Sequence, residues 1–476
     1  MRILERLQAA CLLFALCMLA ACTTAQELPV PLADAFKRAE IPITAAGIYV
    51  REVGNGPNGP ALIASNASAS FSPASTMKLV TSDAALELLG PTFTWKTLAF
   101  ADGAQSGDVL HGDLIIKGSG DPKLVMENFW LFLRRIRARG IREIHGNLLL
   151  DRSVFEPIVY DPAAFDADPL KPYNVGPDAL LLNFKAMTFR FAPVESNRAV
   201  AVSVDPPVDA FPLVAPRLTN GACGDWRLRL QPVIDARGAR FLGEYPASCG
   251  ERTLYVHPYQ MTHTEYFNLV FRRLWAELGG TFTGEVRDGY VPPSARLVAQ
   301  WESAPLSEII RDINKYSNNV MARQVLLTIA SHQLNLPASQ ERGAAVVKTW
   351  MARKGIAAPE LIIENGSGLS RSERISAATM GNLLGAAFQA PTMPEFIASM
   401  PLVGYDGTMR QRLNAQGVAG HAHIKTGMLT DVRAVAGYVL AASGKRYAVV
   451  CIINHPNAMR GPEVQDMLLQ WVYEHG

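Results

Sequence analysis

Ser75 and Lys78 are the pair of residues with the clearest chemical potential in this sequence. Residues three apart share one face of a helix, so the Lys78 amine can reach the Ser75 hydroxyl. At a helix start, free N–H groups and the positive end of the dipole oppose protonation of a nearby amine. A desolvated Lys78 can therefore act as the base that turns Ser75 into a nucleophile. Taken alone, a Ser-x-x-Lys pattern more often marks an ordinary helix start.

Two further polar motifs follow later in the chain. Ser317-Asn-Asn319 lies between two helix-like segments, where short polar residues usually serve as caps. Lys425-Thr-Gly427 lies in a strand-like run, and a glycine inside a strand often marks close approach of a ligand to the backbone. A solvated lysine on a strand is the ordinary alternative. Each motif alone is weak evidence for a catalytic site, and the stronger evidence is that all three occur in this order.

The surrounding pattern predicts the elements that position these motifs. Ser72 as N-cap and Pro73 at the first helical position predict a helix that ends at Gly90-Pro91. Residues 92–290 have the pattern of short strands and turns, including a strand at 226–230, with helices at 127–139 and 264–278. Helices are then predicted at 305–316, 319–332, 339–354, 376–389 and 462–474. Strands at 421–427, 432–442 and 446–454 are joined by tight turns and must be antiparallel.

Length and composition predict a folded, multidomain protein. The chain has 476 residues, which suggests about three domains. Hydrophobic residues make up 49% and charged residues 18%, so extensive disorder is excluded. The net charge of +2 lacks the basic surplus that nucleic acid binding requires.

The N-terminus predicts export. Arg2 and Arg6 precede an apolar stretch over residues 9–21, which is shorter than the roughly 20 residues that a membrane-spanning helix needs. Residues 1–21 are therefore expected to be a signal peptide. The run Leu19-Ala-Ala-Cys22 resembles a bacterial lipobox, which implies cleavage before Cys22 and attachment of lipid to its sulfur. Ordinary cleavage after Ala25 is the alternative.

Only three cysteines belong to the body of the chain. Cys223 and Cys249 stand 26 residues apart in a region rich in glycine and proline, and in an oxidising compartment they are expected to pair. Cys451 lies in an apolar run and is expected to be buried. None of the three has the spacing of a zinc site.

Together, the Ser-x-x-Lys, Ser-x-Asn and Lys-Thr-Gly motifs resemble penicillin-binding proteins and serine β-lactamases. The long interval between Ser75 and Ser317 narrows the resemblance to the D-alanyl-D-alanine carboxypeptidase/endopeptidase family, the class C low-molecular-mass penicillin-binding proteins. Segments 118–122, 223–226, 365–371 and 406–408 also resemble that family. This implies an α/β (α+β) fold with a transpeptidase-like antiparallel sheet, helices and a large nested β-rich insertion.

The resemblance also implies how the chain divides into domains. The expected ranges are 22–90 and 291–476 for catalytic domain I, 91–107 and 190–290 for inserted domain II, and 108–189 for inserted domain III. The implied location is the periplasm of a Gram-negative bacterium. Thr23 and Thr24, with no aspartate after Cys22, favour a lipid anchor in the outer membrane by analogy.

The resemblance assigns a role to each motif residue. Ser75 attacks the D-Ala-D-Ala bond of a peptidoglycan stem peptide, Lys78 takes its proton, and Ser317 relays a proton to the leaving amine. Asn319 contacts the substrate or orients Lys78. Hydrolysis of the acyl-enzyme follows, and β-lactams acylate Ser75 as covalent inhibitors.

The Lys-Thr-Gly strand is expected to bind the substrate. Lys425 and Thr426 receive the terminal carboxylate beside Gly427, and the N–H groups of Ser75 and Met428 form the oxyanion hole. The family usually has Ser or Thr where this chain has Met428. The lost hydroxyl removes a hydrogen bond to a charged group, worth roughly 1.5–3 kcal/mol. Arg371 and Arg433 are the candidates to compensate.

No metal or cofactor is expected. His421 and His423 alternate on the strand before Lys425, but a metal site would need a third ligand, and the Ser/Lys chemistry needs none. Two alternatives to the hydrolase stay open. One is a non-catalytic wall-binding lipoprotein, suggested by Met428, and the other is a serine β-lactamase, which the long insertion disfavours.

Overall fold

The computed structural model describes residues 28–54, 59–194, 196 and 198–476. The predicted signal peptide and the candidate lipidation residue Cys22 lie outside the described residues. The helices are α1 (Val30–Ala39), α2 (Met77–Leu89), α3 (Met126–Ala138), α4 (Trp226–Arg229), α5 (His263–Glu277), α6 (Leu306–Lys315), α7 (Asn319–Leu334), α8 (Gln340–Arg353), α9 (Ala377–Gln389), α10 (Met393–Ser399) and α11 (Gly461–His475). Of the helices in this part of the chain, none is long and apolar enough to cross a membrane.

The strands are mostly short. They are β1 (Ala46–Glu52), β2 (Ala61–Ser65), β3 (Ser70–Phe71), β4 (Lys96–Ser106), β5 (Val109–Lys117), β6 (Glu143–Ile144), β7 (Leu148–Asp151), β8 (Met187–Val194), β9 (Ala199–Asp205), β10 (Leu213–Val214), β11 (Arg217–Thr219), β12 (Pro232–Asp235), β13 (Gly238–Phe241), β14 (Glu244–Pro246), β15 (Arg252–Val256), β16 (Thr281–Phe282), β17 (Val286–Asp288), β18 (Arg296–Glu302), β19 (Ile375–Ser376), β20 (Ala422–Leu429), β21 (Val432–Leu440) and β22 (Arg446–Asn454).

A five-stranded antiparallel sheet supports the three motifs. Its strand order is β2-β1-β22-β21-β20, so the Lys-Thr-Gly strand β20 lies at an edge. Ala434 and Ala436 of β21 pack into a core shared with helices α2 and α6 to α10, while Val435 faces α1 and α11. Because both faces are covered, β21 and β22 are apolar at consecutive positions. The predicted strand pairings and the predicted helices around them are confirmed.

The start of α2 differs from the prediction. Ser72 does not cap the helix: its N–H donates to Asn454 Oδ1 at 2.8 Å, and its carbonyl accepts from Asn454 Nδ2 at 3.0 Å. A 3-10 turn over Ala74–Thr76 comes first, and α2 begins at Met77. Ala74 is held at φ +46°, a left-handed conformation that costs a non-glycine residue on the order of 1 kcal/mol or more. The local capping pattern was misleading because Ser72 bonds to a strand 382 residues away.

The region between α2 and α6 is β-rich, as predicted. Strands β4 to β7 and β16 to β18 form one seven-stranded sheet, with β18 from the end of the region beside β4 from its beginning. Phenylalanines of α3 and α5 cover this sheet, and the smaller sheets of β8 to β15 extend the same core.

The segment 226–230 is a short helix, so the strand prediction there was wrong. Trp226 and Leu230 are buried, whereas Leu228 is 79% exposed. Residues four apart share a helical face, whereas a strand would place Leu228 on the same side as Trp226 and Leu230, so the exposed Leu228 fits one helical turn and not a strand. Trp226 packs against Tyr245 and Phe191, contacts that the local pattern does not reveal.

Strand pairing bears on the domain limits. The expected limit between 107 and 108 falls in the turn of the β4–β5 hairpin, and the limit between 189 and 190 falls inside β8. Hydrogen-bonded strands stabilise each other and belong in one folding unit. We therefore propose that the seven-stranded sheet with α3 and α5 is one inserted unit, that the sheets of β8 to β15 are a second, and that β18 belongs with the first.

Cys223 and Cys249 form a disulfide with a Cα–Cα distance of 4.8 Å, which confirms the predicted pairing. The bond ties the loop before α4 to the 3-10 turn over Ala247–Cys249. Cys451 is a free thiol buried in β22, as predicted.

The double substitution Cys223→Ala and Cys249→Ala should lower the free energy of unfolding of the β-rich insertion by about 3 kcal/mol, because the disulfide closes a 26-residue loop in the unfolded chain. Urea denaturation of the two proteins measures this difference. Reductant should destabilise the wild type and leave the double variant unchanged. An equal effect of reductant on both proteins would contradict the prediction.

Candidate active site

The turn that carries Ser75 packs directly against strand β20. A Cβ atom built on Gly427 would lie 2.7 Å from the carbonyl oxygen of Pro73 and 3.1 Å from the Ser75 backbone nitrogen. Only glycine permits this separation, so Gly427 brings the Lys-Thr-Gly strand beside Ser75. The close approach expected at this glycine is made by the chain's own backbone.

Lys78 is completely buried, with 0% of its surface exposed, as is Lys425 of the third motif. Its Nζ donates to Ser75 Oγ at 2.9 Å, as the three-residue spacing predicts. It also donates to Asn319 Oδ1 and to the carbonyl oxygen of Ser367. The first two motifs, more than 240 residues apart, therefore meet at one nitrogen atom.

The surroundings of Lys78 favour its neutral form. Burial lowers the pKa of Lys78 well below its ordinary value, and the positive charges of Lys425 and Arg323 lower it further, while Glu373 acts in the opposite direction. Lowering the pKa of an amine raises the fraction that is present as the free base at a given pH. The free base has two N–H groups, which suffice for Asn319 and Ser367, and one lone pair, so in that form the Ser75 hydroxyl donates to Nζ and can pass its proton to Lys78.

The third motif meets the second through Lys425. Lys425 Nζ donates to Ser317 Oγ at 2.9 Å and to the carbonyl oxygen of Thr426 at 2.7 Å. Ser317 lies between α6 and α7 at φ +58°, while Asn318 is the cap of α7 and accepts from the Met321 N–H. Burial lowers the pKa of Lys425 to about 7.

A buried carboxylate, Glu373, holds the loop that contacts Lys78. Its Oε1 accepts from the N–H groups of Glu364, Asn365 and Gly366, and its Oε2 accepts from Gly368 N–H at 2.8 Å. Burial raises the pKa of Glu373, and these four backbone donors lower it. All four contacts are donors, so the cage is complementary to the ionised carboxylate. The loop positions the Ser367 carbonyl against Lys78.

Ser367, Glu373 and Thr408 were given no role from the sequence. Thr408 Oγ1 accepts from Thr426 Oγ1 at 2.8 Å, and its segment is held by the ion pair between Lys315 and Asp406. Ser367 and Thr408 lie in segments 365–371 and 406–408, which carried part of the family resemblance, so that resemblance was the available signal. Nothing in the pattern around Glu373 indicated a buried acid.

The two arginines expected to compensate for Met428 have different surroundings. Arg433 is 6% exposed and donates to the carbonyls of Leu429 and Val432, so it supports its own hairpin turn, contrary to the expectation. Arg371 lies over the Phe165 ring at 4.7 Å, with Nη1 3.8 Å from Asp431. The Met428 side chain is 67% exposed.

His421 and His423 do not converge on a common ligand position. His421 Nδ1 lies 2.9 Å from the Ala419 carbonyl and its ring packs near Tyr473, while His423 is half-buried and pairs with Leu402. Within the described ranges, no group of three or more His, Cys, Asp or Glu residues has the geometry of a metal site.

Comparison with known proteins identifies the family. Residues 30–475 match the D-Ala-D-Ala carboxypeptidase 3 (S13) family. The chain belongs to this family. Its members are serine hydrolases of the carboxypeptidase type, and the S13 assignment agrees with the resemblance in the three motifs.

Individual relatives extend this result. The S13 chain is 28% identical over 423 residues to a D-alanyl-D-alanine carboxypeptidase of Actinomadura sp. (strain R39), covering 83% of this chain and 76% of the relative. It is 27% identical over 395 residues to the D-alanyl-D-alanine carboxypeptidase DacB of Haemophilus influenzae, covering 80% of each. The crystal structure of penicillin binding protein 4 (dacB) from Haemophilus influenzae matches with a TM-score of 0.80 at 24% identity, over 94% of this chain and 100% of that one. The transpeptidase-like fold with a nested insertion is thereby confirmed.

Glu373→Gln should shift the pH dependence of this S13 enzyme. Removal of the negative charge lowers the pKa of Lys78 further, so the acidic limb of kcat/KM for D-alanine release should move to lower pH. The plateau value of kcat/KM should fall about tenfold or more, because the NH2 group of the substituted glutamine cannot accept a hydrogen bond from the Gly368 N–H.

Glu360→Gln is the matched control, since Glu360 accepts from Ser376 N–H and Thr379 and does not enter the electrostatics of Lys78. It should leave the acidic limb in place. If the acidic limb of the Glu373→Gln enzyme does not shift, Glu373 only holds its loop in place and does not influence the pKa of Lys78.

Proposed function

We propose that the chain hydrolyses D-Ala-D-Ala bonds of peptidoglycan stem peptides through an acyl-enzyme on Ser75, and that penicillins acylate the same hydroxyl. The single observation that supports this most is the buried Lys78 amine, which is 2.9 Å from Ser75 Oγ and also bonded to Asn319. A nucleophile and base at hydrogen-bonding distance, with the base oriented by a third group, is the arrangement that acyl transfer requires.

In the proposed acylation, Ser75 Oγ attacks the carbonyl carbon of the penultimate D-alanine as its proton passes to neutral Lys78. The negative charge that develops on the carbonyl oxygen is stabilised by the N–H groups of Ser75 and Met428. The short separation between Gly427 and Ser75 supports this pairing of donors. The carbon–nitrogen bond then breaks, and the terminal D-alanine leaves with the proton returned by Lys78 through Ser317.

The terminal carboxylate is proposed to bind at Lys425 and Thr426. With a pKa of about 7, Lys425 is partly neutral in the free enzyme at neutral pH. An arriving carboxylate raises the pKa of a nearby amine, so substrate binding itself charges Lys425. The Thr426 hydroxyl, which donates to Thr408 in the free enzyme, turns to donate to the carboxylate when the substrate binds. Arg371, whose Nη1 lies 3.8 Å from Asp431 in the turn after β20, is the proposed further contact for the substrate.

Deacylation completes the cycle, when water attacks the Ser75 ester and Lys78 takes its proton. Because the same bond is cut in a terminal D-alanine and in a cross-link, endopeptidase action on cross-links is part of the proposal. Met428 is the one observation that favours the alternative of a non-catalytic wall-binding protein, since it replaces a hydroxyl at the carboxylate site. Measurable D-alanine release from a pentapeptide separates these two functions.

For the location, we propose the periplasm of a Gram-negative bacterium. The predicted signal peptide and the disulfide Cys223–Cys249 support export, because disulfides persist in oxidising compartments. The lipobox-like run before Cys22 supports a lipid anchor in the outer membrane.

Ser75→Ala should abolish labelling by a fluorescent penicillin and reduce D-alanine release to the background rate, since the bond-forming oxygen is missing. Gel fluorescence and product analysis measure the two effects. Ser82→Ala, a change at a buried serine of the adjoining helix α2, should leave labelling intact. Equal labelling of Ser75→Ala and wild type would exclude Ser75 as the nucleophile.

Cys22→Ala should abolish incorporation of a labelled fatty acid when the gene is expressed with lipid precursors, because the thioether sulfur is lost. Cys451→Ala serves as the control and should keep the label. Unchanged labelling of Cys22→Ala would rule out this anchor and favour cleavage after Ala25.

A further inference from the structure

A cavity of about 810 Å³ lies outside the Ser75 site, where residues 152–179 meet the start of α5 and the end of β17. Three tyrosines line it: Tyr160, Tyr259 and Tyr290. Tyr259 is 39% exposed and Tyr290 is 75% exposed, so both rings remain open to solvent. A tyrosine ring combines a flat apolar face with a polar tip, which suits ligands that are partly apolar and partly polar.

The cavity also has buried polar atoms that the protein leaves unused. His257 is 3% exposed, its Nδ1 lies 3.1 Å from the Pro169 carbonyl, and its Nε2 finds no hydrogen-bond partner among the described residues. Burial lowers the pKa of His257 to about 3, so the ring is neutral and Nε2 is an acceptor. The Nη2 group of Arg152 is a buried donor that is likewise unpartnered in the part of the chain described. Buried polar groups normally have partners, so these two atoms have hydrogen-bonding capacity that a ligand in the cavity could use.

Four of the five charged side chains on the wall are in ion pairs, and the fifth, Lys185, donates to the carbonyl oxygen of Met261. Arg152 bonds to Asp178 at 2.8 Å and also to Asp288, and Glu156 pairs with Arg342. The wall therefore has no surplus of either sign that would select a phosphate or a polycation. A neutral ligand with several hydroxyl or amide groups fits this mixture of donors, acceptors and ring faces.

The cavity lies within reach of the Ser75 site. Tyr160 accepts a hydrogen bond at 2.8 Å from Arg323 of α7. Arg323 is four residues, or about 6 Å, along that helix from Asn319. In a pentapeptide stem, four residues separate the sugar from the bond to be cut, a span of at most about 14 Å. A stem peptide bound at Ser75 can therefore carry its sugar to this cavity.

We propose that this cavity binds the neutral amino-sugar backbone of peptidoglycan, with Tyr259 and Tyr290 against the sugar rings and His257 and Arg152 hydrogen-bonded to hydroxyl and acetamido groups. The inference rests on the proposed function and adds to it a subsite for the glycan. Its consequence is that the enzyme distinguishes a stem peptide still attached to glycan from a free peptide.

The test compares kcat/KM for D-alanine release from a free pentapeptide and from the same pentapeptide on its N-acetylglucosaminyl-N-acetylmuramyl disaccharide. Wild type should prefer the disaccharide substrate by about fivefold or more, the effect typical of an aromatic contact at a binding site. The double variant Tyr259→Ala, Tyr290→Ala should lose this preference, with the loss confined to the disaccharide substrate. Tyr255→Ala is the matched control, because this tyrosine is 66% exposed on β15 and does not line the cavity.

A binding measurement separates this inference from the proposed catalysis. Saturation-transfer NMR with the peptide-free disaccharide should show contact with wild type and with the Ser75→Ala protein, and none with the double tyrosine variant. Equal kcat/KM of wild type for the two substrates, or an equal loss on both in the double variant, would overturn the glycan site. Absence of D-alanine release with intact disaccharide binding would instead overturn the proposed hydrolase.

Discussion

The desolvation of the Lys78 amine is the constraint on which the site depends. An amine with no exposed surface favours its neutral form, and a neutral amine is the state that can take a proton from Ser75. The positive charges of Lys425 and Arg323 act in the same direction. Buried cationic groups this close together would destabilise the fold if no negative charge lay nearby. Glu373 supplies that opposing charge from within its cage of backbone N–H groups.

Backbone geometry brings the parts of this cluster together. The 3-10 turn of Ser75 is tied to the sheet through Asn454, and Gly427 lets β20 approach that turn more closely than any side chain would allow. Lys425, on the same strand, then reaches Ser317 at the junction of α6 and α7. The sheet edge is consequently both an element of the fold and one wall of the site.

The insertion gives the S13 chain a second surface near this cleft. Its seven-stranded sheet joins the catalytic part through β4 and β18, whose pairing brings the beginning and end of the insertion together. Segment 152–179 returns from that sheet to α7, where Tyr160 meets Arg323. An enzyme that acts on a polymer benefits from contacts remote from the reacting bond, because remote binding energy can be used to orient that bond.

The sequence by itself determined the chemistry and most of the architecture. Local patterns were enough to predict the helices around Ser317, the strands that hold Lys425, and the contact between Lys78 and Ser75. Each of these features depends on periodicity or on residues a few positions apart. Tertiary structure alone decided what depends on distant partners. Examples are the Ser72–Asn454 contact in place of a helix cap, the burial of Arg433 in its own hairpin, and the Glu373 cage. Burial and long-range pairing set these outcomes, and neither is written in the spacing of residues along the chain.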